Sequence, residues 1–181
     1  MNILIISGSA RPKRQSHHVA VAIQRKLEGR PELGIQLMDV REHPLPLLEY
    51  VFQSHPSPSD MMKKWKEAVD NADAYIIVSP EHNAGFAGAL KNAMDHFYDE
   101  YSDKPLAIAT ASSGVLGGIN AAKALQLYGI KLRTIVMPDF LITPKVQTLF
   151  DADSKIIDEG YEKRLDKFVD SFLQFAAKHK K

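Results

Sequence analysis

Apolar and polar positions along the chain switch between two periods in a regular order. Ile3-Leu4-Ile5-Ile6 is an unbroken apolar run stopped by Ser7-Gly8-Ser9. A strand buried on both faces, central in a parallel sheet, has this pattern. Val19, Ala22, Ile23 and Leu27 then recur at helical spacing, and the stripe ends near Gly29. Residues 35–40 alternate, as a strand nearer a sheet edge does. Ser59 or Asp60 is placed to cap a helix carrying Met62, Trp65, Ala68 and Val69. Residues 74–78 form a third strand, stopped at Ser79-Pro80, and Phe86, Ala89, Leu90, Ala93, Met94 and Phe97 follow helical spacing closely. Residues 106–111 are a fourth strand, with a helix after Gly117-Gly118, and residues 132–136 are a fifth. Ile157, Tyr161, Leu165, Phe168, Val169, Phe172 and Ala176 form the stripe of a closing helix, with Lys178-His179-Lys180-Lys181 as a frayed, solvated end.

Five strand–helix alternations predict an α/β fold, a parallel sheet covered by helices on both faces. No internal repeat or inter-domain linker interrupts them, so residues 1–181 are expected to form one domain. The chain is 45% hydrophobic and 25% charged, which is ordinary globular usage and leaves no room for a fibrous or disordered class. Lys+Arg 23 against Asp+Glu 22 leaves a net charge of +1, so no nucleic-acid partner is expected. The absence of cysteine removes disulfides, thiolate nucleophiles and cysteine-based zinc sites together. The first apolar run is short and lacks a basic lead, and no stretch approaches the ~20 apolar residues of a membrane span. A soluble, cytoplasmic protein without membrane attachment is expected. Residues 41–58, with Pro44, Pro46, Pro56 and Pro58, cannot be a regular central element.

In an open parallel sheet, ligands bind outside the carboxyl ends of the strands, where strand order reverses. The segments at those ends are residues 7–18 (SGSARPKRQSHH), 79–85 (SPEHNAG) and 112–118 (SSGVLGG). The first combines hydroxyls, a guanidinium and the start of a helix, whose dipole favours an anion. Ser9 and Ser16 can donate, and Arg11 can fork onto a phosphate. Hydrogen bonds to charged groups contribute ~1.5–3 kcal/mol each, so two or three would dominate the binding of a phosphomonoester. The plainer alternative is that Ser16 only caps its helix while Arg11, Lys13 and Arg14 are solvated.

Several functions are excluded by what these loops lack. G-x-x-x-x-G-K-[ST] and G-x-G-x-x-G are absent, which removes the main support for an ATPase or a standard dinucleotide fold. A low-molecular-weight phosphatase needs a cysteine. A receiver domain needs an aspartate at the end of its third strand, where this chain has Ser79-Pro80.

Taken together, the loops resemble the NADPH-dependent FMN reductase family, which includes quinone, azo and chromate reductases. Gly8-Ser9-Ala10-Arg11 followed by Ser16 is similar to the family's first motif, with two extra residues between Arg11 and Ser16. Pro80-Glu81-His82-Asn83, then Gly88-Ala89-Leu90-Lys91-Asn92-Ala93-Met94-Asp95, is similar to its second and most specific motif. Ser112-Ser113-Gly114-Val115-Leu116-Gly117-Gly118 is similar to its third. The resemblance implies a flavodoxin-like fold, a three-layer doubly wound sandwich with a five-stranded parallel sheet in the order 2-1-3-4-5.

It further implies that Ser9, Arg11, Ser16 and His18 hold the phosphate of FMN, with His17 also among the cofactor-binding residues. Pro80, Glu81, His82 and Asn83 would run along the ribityl chain and ring with their backbone, and Ser112, Ser113 and Gly114 would approach the pyrimidine end. Backbone N–H groups there would stabilise the charge of the reduced ring. The implied activity is hydride transfer from NADPH or NADH to flavin N5, then reduction of a small-molecule acceptor such as a quinone, azo compound or chromate. No residue is named as catalytic and no metal is expected, because the cofactor carries the chemistry. A homodimer or dimer of dimers is implied, with the apolar side of residues 41–58 (Leu45, Pro46, Leu47, Tyr50, Phe52) at the subunit contact. His82 stands where the family has Tyr, Ala87 where it has Pro, and His18 where it often has Asn. Two other readings stay open at this level: a non-catalytic electron carrier, and a nucleotide or sugar-phosphate binding protein without flavin.

Overall fold

The computed structural model describes residues 1–179. Strand β1 (Asn2–Ser7) lies between β2 (Gly34–Asp39) and β3 (Ala74–His82), and β5 (Pro105–Ala111) and β6 (Ile135–Val136) complete the order β2-β1-β3-β5-β6. These neighbours all pair in parallel. In chain order this is the expected 2-1-3-4-5. Two short strands are added: β4 (Gly85–Phe86) pairs antiparallel with the end of β3, and β7 (Leu141–Thr143) pairs in parallel with the end of β5.

The alternation of each central strand divides its side chains between two cores. Ile3 and Ile5 face α1 (Ser16–Glu28) and α5 (Glu159–His179), meeting Val19, Ile23, Tyr161, Leu165 and Phe172. Leu4 and Ile6 face the other layer, meeting Trp65 and Val69 of α2 (Asp60–Asn71) and Leu90 and Met94 of α3 (Gly88–Asp95). That layer is completed by Ala122 and Leu125 of α4 (Ile119–Lys131). Burying each such aliphatic chain contributes ~1.5–3 kcal/mol, which explains why β1 reads as an unbroken apolar run. Ser59 caps α2 as expected, its Oγ accepting from Met62 N at 3.2 Å. Trp65 is fully buried and donates its ring N–H to His43 O at 2.9 Å, a packing role.

The structure moves several sequence boundaries. The third strand does not stop at Ser79-Pro80 but continues to His82 and turns back through β4, which takes Phe86 out of the helix. The fifth strand is only two residues long: Leu132 caps α4, and Arg133 adopts a left-handed φ of 59°. After Pro138, which cannot donate to a ladder, the same edge resumes as β7. The closing helix starts at Glu159, so Ile157 lies outside it and is exposed. Lys178 and His179 belong to that helix, whereas Lys180 and Lys181 lie outside the described residues.

Candidate functional site

The first loop leaves β1 through a crossing too tight for a side chain. Gly8 N donates to Val78 O at 2.8 Å, and a Cβ at Gly8 would stand 2.8 Å from Leu90 Cδ2. Glycine is therefore required by proximity to β3 and α3. Ser9 is buried, and its Oγ accepts from Arg11 N at 3.4 Å. Lys13 takes a left-handed φ of 54°, and the chain then enters α1 with Gln15 at the N-cap, making no side-chain cap bond. Ser16 is thus the first helical residue and not the cap. Its Oγ is buried without a hydrogen-bond partner among the described residues, as is Arg14 Nε. The first turn of α1 holds no acidic residue.

The second segment is the β3–β4 hairpin. His82 pairs with Gly85 across a two-residue turn in which Asn83 and Ala84 both have positive φ, 50° and 61°. Ser79 fixes the base of the hairpin, donating to Pro80 O at 2.8 Å and accepting from Ala87 N at 3.1 Å. The Glu81 carboxylate turns to the start of α4, accepting from Asn120 N at 2.9 Å and Ala121 N at 3.2 Å. Glu81 is also at the cleft.

The third loop, residues 112–118, is knitted to the segment after β7. Ser112 N donates to Thr143 O at 3.1 Å, Val146 N to Ser112 O at 3.2 Å, and Lys145 N to Gly114 O at 3.2 Å. Ser112 Oγ accepts from Gly114 N at 3.1 Å. Gly117 and Gly118 both have positive φ, and a Cβ on Gly117 would stand 2.6 Å from Ile142 Cγ2.

These three segments meet in one open cleft at the carboxyl ends of β1, β3 and β5. Of the residues expected at the site, Ser9, Arg11, Ser16, Pro80, Glu81, His82, Ser112 and Ser113 line it. His17, His18, Asn83 and Gly114 stand outside its lining. His17 turns back under the loop, its Nδ1 3.0 Å from Ser7 Oγ and 3.4 Å from Asp39 Oδ2. Burial lowers its pKa, against the opposing pull of Asp39. His18 faces the opposite side of α1, where Nδ1 meets Ser154 Oγ at 2.7 Å and the ring stacks on Phe150. Burial lowers its pKa as well. Adjacent positions at a helix start point apart, which separates the pair.

Two contributors were not visible in the sequence. Val146 reaches the cleft from the segment after β7, carried there by a left-handed Lys145 (φ 47°). Asp39, buried at the end of β2, pairs with Arg14 behind the first loop. The one signal for Asp39 was its place at the carboxyl end of a strand.

The chain matches the model of the family described as NADPH-dependent FMN reductase over residues 1–148. An NAD(P)H-dependent FMN reductase of Saccharomyces cerevisiae is 32% identical over 150 residues, 75% of this chain and 78% of the relative. A quinone reductase of Pseudomonas putida is 28% identical over 181 residues, covering 96% of this chain and 94% of the relative. Among solved structures, a flavoenzyme NAD(P)H:(acceptor) oxidoreductase from Paracoccus denitrificans superposes with a TM-score of 0.83 at 26% identity, covering 99% of both chains.

Proposed function

The chain belongs to the NADPH-dependent FMN reductase family, and from that premise we propose that residues 1–181 act as one unit that binds FMN in the cleft described above. Electrons pass from NADPH or NADH through the flavin to a small-molecule acceptor of the quinone, azo or chromate type. The observation that carries this reading is the meeting of the three loops in one cleft, with an anion-suited end at α1. Two buried donors without a partner among the described residues, Arg14 Nε and Ser16 Oγ, fit a phosphate, since an unmatched buried donor is destabilising until an acceptor reaches it.

FMN held there would supply two-electron chemistry between a nicotinamide and the acceptor. The protein's part is to bind and orient. The first loop, with Ser9, Ser16 and its arginines Arg11 and Arg14 at the cleft and the dipole of α1 behind them, holds the phosphate. The backbone of residues 80–82 guides the chain and ring, fixed by the Ser79 bonds at its base. The Ser112 and Ser113 segment presents polar groups at the far end, held rigid by its bonds to residues 143–146.

A second copy of the chain completes the proposal. Leu47 (82% exposed), Leu48, Tyr50 and Val51 on the 41–58 segment, and Leu127 and Ile130 on α4, are large apolar side chains left exposed, and apolar patches on a surface mark interaction sites. We assign these surfaces to a homodimer, and the protein to the cytoplasm, where reduced nicotinamide nucleotides are available. Among the described residues, no helix is long and apolar enough to cross a membrane.

Titration of flavin-free protein into FMN tests the reading directly. Quenching of flavin fluorescence, and FMN-dependent loss of NADPH absorbance with a quinone or azo acceptor, are expected. Absence of quenching removes the flavin assignment; quenching without NADPH consumption points instead to an electron carrier.

A further inference from the structure

The two arginines of the first loop are placed very differently. Arg11 is exposed, whereas the Arg14 side chain is only 11% exposed. Arg14 Nη2 is bonded to Asp39 Oδ2, with Glu42 Oε1 at 3.7 Å. Asp39 is itself fixed: its side chain is 5% exposed, and Oδ1 accepts from Arg41 N at 3.0 Å. Arg41 in turn donates from Nη1 to Ala10 O at 3.0 Å. The end of β2 therefore holds the first loop from behind at two points. One edge of the Arg14 guanidinium is occupied by Asp39, while Nε is buried with no partner among the described residues. Ser16 Oγ, two residues on, has none either.

We propose that Arg14, oriented by the buried Asp39, is the anchoring cation for the cofactor's phosphate, with the exposed Arg11 a peripheral contact and Asp39 a positioning residue. This rests on the flavin reading above. A guanidinium already ordered by a carboxylate loses little side-chain freedom when an anion arrives, whereas an exposed arginine must be immobilised first. The two additional residues in this loop account for the exchange of roles. They place Arg11 five positions before Ser16, and the left-handed Lys13 lies between Arg11 and the buried Arg14.

Riboflavin lacks the phosphate, so the ratio of riboflavin to FMN dissociation constants isolates this contact. Both are measured by fluorescence quenching on wild-type, R11A, R14A, R14K, D39N and R14A/D39N proteins. R14A is expected to weaken FMN about 10- to 100-fold with riboflavin unchanged, the range of a charged hydrogen bond, while R11A changes FMN less than about 3-fold. R14K keeps the charge without the fork and recovers only part of the ratio. D39N lowers the ratio in the presence of Arg14 and has no further effect in the R14A background. Equal or greater loss in R11A, equal weakening of both flavins in R14A, full recovery in R14K, or an Asp39 effect that persists without Arg14 would each overturn the proposal. If wild-type protein binds neither flavin, the flavin reading itself fails; if it prefers FMN and R14A does so equally, only this inference fails.

Discussion

The carboxylate of Glu81, on β3, is bonded to the backbone N–H of Asn120, in the first turn of α4, at 2.9 Å. The helix's own N-cap residue, Gly118, has no side chain to offer. A residue of the cleft wall therefore supplies both the capping acceptor and the negative charge that α4 lacks. Glu81→Ala is expected to lower unfolding stability by about 1–2 kcal/mol, with Glu81→Gln intermediate, in urea titrations. An unchanged midpoint would show that water replaces the carboxylate without loss.

Ala84 is exposed and adopts φ 61° in the hairpin turn, directly after Asn83 at φ 50°. A turn with both central residues left-handed prefers Asn-Gly, and an L-residue with a Cβ is disfavoured there by ~1–2 kcal/mol. Ala84→Gly should raise the thermal midpoint, with a gain of about 1 kcal/mol after glycine's larger unfolded-state entropy is subtracted. A lower midpoint would mean that the turn gains more from alanine's restricted unfolded chain than it loses in strain.

His17 and His18 are both held below the ordinary histidine value of 6.5 by burial. Below that value the unfolded chain takes up protons that the native chain resists, so their stabilising contribution is complete above it and is lost on acidification. The urea midpoint should fall between about pH 7.5 and pH 5, and the double variant H17Q/H18Q should flatten that slope. Equal slopes in the two proteins would assign the acid sensitivity to other groups.

Asn92 holds the long segment after β2 in place. Its Oδ1 accepts from Leu48 N at 3.0 Å, and its Nδ2 donates to Pro46 O at 2.8 Å. Asn92→Ala removes both bonds, and residues 41–58 are expected to become the first site of proteolytic nicking, with weaker self-association in light scattering. Unaltered nicking would show that the other contacts of the segment, among them Phe52 beside Phe97 and His43 O bonded to Trp65, hold it without Asn92.

Period and punctuation carried most of the architecture. The unbroken run of β1, the stripe of α1 and that of α5 from Tyr161 onward read correctly because burial on two faces, or on one, writes distinct patterns. Two features of the sheet escaped for local reasons. Ser79-Pro80 looks like a stop, yet Pro80 lies in register with Ala111 and the strand runs on. The fifth strand's apolar residues are shared between a helix end and two short pieces separated by Pro138. At the cleft, sheet logic located the three loops and the family resemblance of their motifs singled out eight lining residues, but neither gave the direction of His17 and His18, which depends on the rotation of α1. Nor does composition distinguish Arg11 from Arg14, because burial of a guanidinium depends on a carboxylate 25 residues away in sequence.

The interruption at Pro138 also shapes how the molecule can meet its neighbours. The main chain along that margin is split into pieces of two and three residues, too short to template a foreign strand. Fibre-like stacking through backbone ladders is thereby blocked on that side, and contacts there must be made by side chains.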